Sequence, residues 1–138
     1  MTVTAIPYRT KGLDHVVLRA KDIDKMLDFY SNVLGLPVRK HNEATGLWHL
    51  QAGYSMIDLV DMNKSAGQAG GPPPNAGRNV DHIALKIEPF DTDTLRAYFA
   101  SQAVNMERVQ IRFGADGDGP SVCIKDPEGN GVELKGVI

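Results

Sequence analysis

The chain writes one passage twice. "LDHVVLRAKDID" begins at Leu13 and "VDHIALKIEPFD" begins at Val80. Aligned from Asp14 and Asp81, the runs pair His15 with His82, Leu18 with Leu85 and Arg19 with Lys86, at a constant offset of 67 residues. A repeat of this kind asks for two copies of one supersecondary unit that bury a core together. The 138 residues suit one domain made of two such halves.

The pattern of apolar residues supplies the unit. "HVVLRA" alternates and is rich in β-branched residues, which predicts a strand. Over residues 21–36 the period changes. Ile23, Met26, Leu27, Tyr30 and Leu34 recur at helical spacing, Asp22 is placed to cap the start, and Gly35 with Pro37 ends the run. "PVRKHNEA", "GLWHLQAG" and "YSMIDLVDM" then read as three short strands. Residues 12–62 thus form a first βαβββ module, preceded by a flexible tail over residues 1–11. Residues 63–79 are rich in Gly, Pro, Ala and Asn and read as a linker, stiffened by three consecutive prolines. Residues 80–138 repeat the order. "VDHIALKI" is a strand, "FDTDTLRAYFASQAV" a helix with Leu95, Tyr98 and Phe99 on one face, and "MERVQIRFG", "PSVCIK" and "GVELKG" are strands. "DPEGNG" is a turn, and residues 113–121 read as a flexible hairpin connection. The predicted class is α+β: two βαβββ modules in a pseudo-twofold repeat, forming a curved mixed sheet.

Alternation along the strands then sorts side chains by face. His82, Ala84 and Lys86 share one face, opposite Ile83, Leu85 and Ile87, so the aliphatic face packs on a helix and the histidine face turns away. His15, Val17 and Arg19 share the matching face of the first strand. The last strand of each module places one acid between aliphatic neighbours, Asp58 in "SMIDLV" and Glu133 in "NGVELK". An unpaired buried carboxylate is costly. Two imidazoles and two carboxylates at matching points of a repeat are ligand chemistry for a divalent ion such as Zn, Ni, Co, Mn or Fe(II). The expected outcome is a metal-binding cup between the halves. On the same reading His49 and Gln51 share a strand face that lines the cup, and Trp48 points the other way. Arg19 and Lys86 are matched cations suited to an anionic substrate group, and His41 is solvated.

Several function classes are excluded by bulk properties. A net charge of −2, with aromatic residues not interleaved with basic ones, gives no basis for binding nucleic acid or an anionic membrane. No apolar run reaches the ~20 residues of a membrane span, and the start carries no signal-peptide pattern, so the expected address is the cytoplasm. The single cysteine, Cys123, excludes an intrachain disulfide and reads as a small buried hydrophobe.

The passages "DHVVLRAKDIDKMLDFYSNVLGL" and "DPEGNGVELKG", with a histidine opening each module, resemble the vicinal oxygen chelate superfamily over residues 12–136. That group includes glyoxalase I, bleomycin- and fosfomycin-resistance proteins and extradiol dioxygenases. The resemblance implies that His15, His82 and Glu133 are metal ligands, with Asp58 where glyoxalase I-like members have a fourth ligand, usually Glu. It implies that Arg19 helps hold a substrate carboxylate and that the protein is a homodimer. The implied function is a glyoxalase I-like lyase or isomerase working through a metal-stabilised enediolate or oxyanion, with Glu133 or Asp58 moving a proton. Two alternatives stand beside it: an Fe(II)-dependent extradiol-type dioxygenase, and a non-catalytic drug-binding resistance protein.

Overall fold

The computed structural model describes residues 5–7, 9–71 and 79–137. Its elements follow the predicted order. The first half runs β1 (His15–Ala20), α1 (Ile23–Leu27), β2 (Val38–Asn42), β3 (Leu47–Ala52) and β4 (Ser55–Asp61). A short helix α2 (Ser65–Gln68) follows. The second half runs β5 (His82–Ile87), α3 (Thr92–Ser101), β6 (Gln110–Gly114), β7 (Gly117–Lys125) and β8 (Gly131–Gly136). The mixed sheet is built as two four-stranded sheets of identical topology, ordered β1-β4-β3-β2 and β5-β8-β7-β6. In each, the first and last strands of the half run parallel and the other pairings are antiparallel.

The same local chemistry starts both main helices. Asp22 accepts from the Lys25 amide at 3.1 Å, and Asp91 accepts from the Thr94 amide at 2.9 Å. Each cap satisfies an amide that the first helical turn leaves without a partner. These bonds hold the Asp91 carboxyl below its usual range. The helices then differ. α1 widens into a π-helical segment, Asp28–Val33, in which the Leu34 amide donates to Phe29 at 2.9 Å. The wider turn buries both Phe29 and Tyr30. A strict 3.6-residue period predicts only Tyr30 there, so Phe29 escapes a pattern reading. Gly35, with φ +79°, closes the segment in the left-handed conformation that favours glycine.

One core serves both halves. Leu18, Leu50, Ile57 and Leu59 from the first sheet join Val122, Ile124, Val132 and Leu134 from the second, around Met26, Phe29, Tyr30 and Phe99. Polar contacts across the halves converge on the "DPEGNG" turn. Buried Asp126 accepts from the Tyr30 hydroxyl at 2.7 Å, from Asn130 Nδ2 at 2.8 Å and from the amides of Glu128 and Asn130 at 2.9 and 3.0 Å. Burial, reinforced by the Asp126 charge, pushes the Tyr30 hydroxyl pKa far up, so it stays a proton donor. The Glu128 carboxylate accepts from the Lys21 and Asp22 amides at 3.0 and 2.9 Å, fastening the start of α1 to the second half.

Two loop expectations need correcting. Part of the 63–79 linker is ordered as α2, and residues 72–78 lie outside the described residues, as do residues 1–4 and 8 of the expected tail. Residues 113–121 are not a flexible connection. Gly114 pairs with Gly117 across a tight turn, and β7 runs unbroken from Gly117. Alternating Gly and Asp hid that strand, because neither residue favours strands by itself. Among the described residues no helix is long and apolar enough to cross a membrane.

Candidate metal centre

Register fixes which side chains share the faces turned from the core. In the first sheet Asp58 lies between Val17 of β1 and His49 of β3, with His15 one step away opposite Met56. In the second sheet Glu133 lies between Ala84 of β5 and Cys123 of β7, with His82 one step away opposite Gly131. Each half therefore presents one histidine at the sheet edge and one acid on the neighbouring strand.

The acids are buried and incompletely served. Asp58 is only 3% exposed. Its Oδ2 meets His49 Nδ1 at 3.0 Å, while its Oδ1 is buried with no partner among the described residues. Glu133 is 8% exposed, and its Oε1 lies 3.8 Å from His82 Nε2, too far for a good hydrogen bond. The histidines are open, with side chains 47% and 50% exposed. Both are oriented by the preceding residue. His15 Nδ1 lies 2.7 Å from Asp14 Oδ2, and His82 Nδ1 lies 2.7 Å from Asp81 Oδ2. A neutral imidazole that gives its Nδ1 proton to a carboxylate keeps the Nε2 lone pair for a ligand, the arrangement that surrounds metal-bound histidine. The Asp14 hydrogen bond raises the His15 pKa, partly opposed by desolvation and reinforced by the charge of Asp58.

These donors suit a divalent cation: two oriented imidazoles, and two buried carboxylates with acceptor capacity to spare. They form two pairs rather than one group. Among the described residues of one chain, no three His, Cys, Asp or Glu side chains are placed together to hold a metal ion.

The other candidate residues divide. His49 sits on the expected face and is engaged with Asp58. Gln51 shares that face, but it holds the β3–β4 turn by donating to Gly53 and Ser55 carbonyls and accepts from Arg39 at 2.8 Å. Arg19 turns to the carbonyls of Gly67 and Gly71 beside α2, leaving its Nε buried without a partner among the described residues. Lys86 pairs with Asp116 at 2.7 Å. His41 is exposed as expected, yet its ring stacks on Trp48 with centroids 3.5 Å apart, on the opposite sheet face from His49. Cys123 is not a buried core residue. It is partly exposed beside Glu133, and desolvation, joined by Glu107 and Glu133 and opposed by Arg112, pushes its thiol pKa up.

The orienting acids Asp14 and Asp81 went unassigned in the sequence, although their signal is plain: they belong to the repeated Asp-His pair. Lys135, on the same face as Glu133, was passed over because a lysine ordinarily points to solvent.

Comparison with known proteins identifies the family and the fold. The chain is 29% identical over 127 residues, covering 87% of it and 86% of the relative, to a Vibrio cholerae serotype O1 protein named "Probable lactoylglutathione lyase". It superposes on a structure from the mobile metagenome of V. pseudocholerae with a TM-score of 0.77 at 25% identity, covering 96% of this chain and 99% of that one. The lactoylglutathione lyase of Agrobacterium tumefaciens gives 0.67 at 25% identity, covering 93% and 95%. Fosfomycin resistance protein FosX from Mesorhizobium loti shares the fold alone, with 0.65 at 18% identity over 94% and 95%. Residues 12–134 match the sequence profile of one family, and on that match the chain belongs to the Glyoxalase/Bleomycin resistance protein/Dioxygenase superfamily.

Proposed function

We propose that this chain is a metal-dependent enzyme of the glyoxalase I type, acting as a homodimer on a small oxygenated substrate. The observation that carries the reading is the buried Asp58 Oδ1 without a partner, set beside an oriented histidine. Its counterpart is Glu133 beside His82. His15, Asp58, His82 and Glu133 would hold the ion. When bound, a divalent ion would polarise the oxygens of the substrate and stabilise negative charge that develops on them.

The chain's own residues do the rest. Asp14 and Asp81 fix the imidazole tautomers. Glu133 carries a carboxylate without a close hydrogen-bond donor among the described residues, suited to taking a proton from a substrate carbon and returning it to the neighbouring one. His49 holds Asp58 in place and steadies its charge.

Sheet order supports dimerisation. The histidine strands β1 and β5 each form one edge of their sheet, with β2 and β6 at the opposite edges. A free edge invites pairing. Pairing β1 of one copy with β5 of another would continue the sheet and join the first pair of donors to the second pair.

Mixing variants tests this. His15→Ala spoils one half and His82→Ala the other. Each alone should bind no Ni²⁺ at the site, and subunit exchange between the two should restore part of the stoichiometry, because one site in each mixed dimer is whole. Elemental analysis of gently purified protein, together with Ni²⁺ titration of wild type, checks the premise. If wild type carries and accepts no divalent metal, the reading fails. If exchange restores nothing while wild type binds metal, the site lies within one chain.

One observation favours a second reading. His49 already occupies Asp58, which leaves His15, His82 and Glu133 as a two-histidine, one-carboxylate set of the kind used by Fe(II) oxygenases. Oxygen uptake by Fe(II)-loaded protein with a catechol panel would select it, and turnover with Ni²⁺ or Zn²⁺ without oxygen consumption would dismiss it.

A further inference from the structure

We propose that the second sheet carries a subsite for an anionic group of the substrate, a carboxylate or phosphoryl oxyanion, built on Lys135. This lysine is 6% exposed, and its ammonium has no hydrogen bond or ion pair among the described residues. The stem is buried, but the ammonium is not among the buried polar atoms left without a partner, so it opens to solvent. There an arriving anion can reach it and supply the partner it lacks. The burial is built into the strands. The β6–β7 hairpin packs over the lysine stem at Gly114, where an added Cβ would come within 3.0 Å of Lys135 Cδ and Cε. Glycine there leaves room for the stem.

The neighbours fit the same purpose. Lys135 lies directly between Lys86 of β5 and Ser121 of β7 on one sheet face. Arg112 of β6 donates to Ser121 Oγ at 2.9 Å, which brings its guanidinium to the row. Two lysines directly across a strand pair repel. Asp116 offsets one of them: its carboxylate bonds Lys86 at 2.7 Å and also feels Lys135. Glu133, the other acid on this face, is assigned to the metal. Lys135 and the remaining Arg112 donors are left for an anion.

The first sheet has no such row. Its equivalent positions are Arg19, Val60 and Leu47, and the Arg19 guanidinium is taken up by the carbonyls of Gly67 and Gly71. The anionic end of the substrate therefore lies over the second half only. Lys135 stands two residues from Glu133 on the same face of β8, about 7 Å along the strand. The substrate class that follows is a short compound whose reactive oxygens and anionic group are separated by about that distance. The position of the reactive end rests on the metal-centre reading, whereas anion binding does not.

Calorimetric titration of the metal-free full chain with inorganic phosphate and, separately, succinate tests the subsite, with Ni²⁺ titrated in parallel. Lys135→Met should weaken the better anion by about tenfold or more, the scale of one charge-assisted bond. Lys125→Met, an exposed lysine at the far end of β7, should leave it unchanged. Ni²⁺ affinity should be the same in both variants. The stronger of the two probes assigns the anion as phosphoryl or carboxylate. Arg112→Met serves as a second variant should Lys135→Met fail to fold, and it should weaken the same anion by a smaller factor. Wild type binding neither anion, or equal affinity in Lys135→Met, overturns the subsite. Anion binding with no Ni²⁺ binding in wild type would overturn the metal-centre reading and leave the subsite standing.

Discussion

The two histidine faces share a frame and differ in how it is filled. Each has an edge-strand histidine held by the preceding aspartate at 2.7 Å, and each has a buried acid on the neighbouring strand. In the first sheet the acid is the shorter Asp58, already paired with His49, and the cation Arg19 serves the backbone around α2. In the second sheet the acid is the longer Glu133, no histidine faces it across β7, and Lys135 stands free beside Lys86. The halves thus match where a metal would be held and diverge where a substrate would be told apart. Among the described residues the first half engages its acid and its cation through one atom and leaves a second one buried without a partner, Asp58 Oδ1 and Arg19 Nε. The second half leaves the Lys135 ammonium with no hydrogen bond among those residues, and Glu133 with only a 3.8 Å approach to His82.

That comparison can be broken by experiment. The largest expected effect is loss of either histidine. His15→Ala and His82→Ala should each lower metal affinity by more than the roughly 10–100-fold that loss of an outer-shell partner costs. Competition titration with a chromogenic chelator reads it, and a variant that keeps wild-type affinity would remove its half from the site. Next come the orienting acids. Asp14→Ala and Asp81→Ala should each weaken metal by about 10–100-fold, and by similar factors. Unequal losses would show that the shared frame is only geometric.

Tyr30→Phe probes the join between halves instead of either face. It leaves buried Asp126 short of a donor and should cost about 1–3 kcal/mol in urea unfolding, with metal affinity unchanged. Arg19→Met should have the smallest effect. Losing bonds to the Gly67 and Gly71 carbonyls should cost about 1 kcal/mol of stability and leave anion binding intact. A loss of anion affinity there would return Arg19 to the substrate and weaken the contrast between the sheets.

The sequence carried the fold well because the repeat, the strand alternation and the two aspartate caps all pointed to one unit. Every predicted strand appears, and the faces assigned to His15, Asp58, His82 and Glu133 follow from register alone. What stayed hidden depends on distances that periodicity does not encode. The π-helical turn that buries Phe29 breaks the 3.6-residue count. The engagement of Arg19 needs a loop to fold back onto β1. The burial of Lys135 depends on a hairpin whose Gly and Asp residues read as flexible chain. The division of the donors into two pairs is likewise a matter of how the halves dock, and a pseudo-twofold repeat is compatible with either arrangement.

The bonds from Tyr30 to Asp126 and from the start of α1 to Glu128 have a consequence for the chain as a covalent object. The halves are held by a common core and by this polar knot, so backbone continuity between them is not what keeps them together. Two separately produced fragments, residues 1–71 and 79–138, should recognise one another when mixed. Removing the Tyr30 hydroxyl should weaken that reassembly more than lengthening the peptide between them weakens the intact protein.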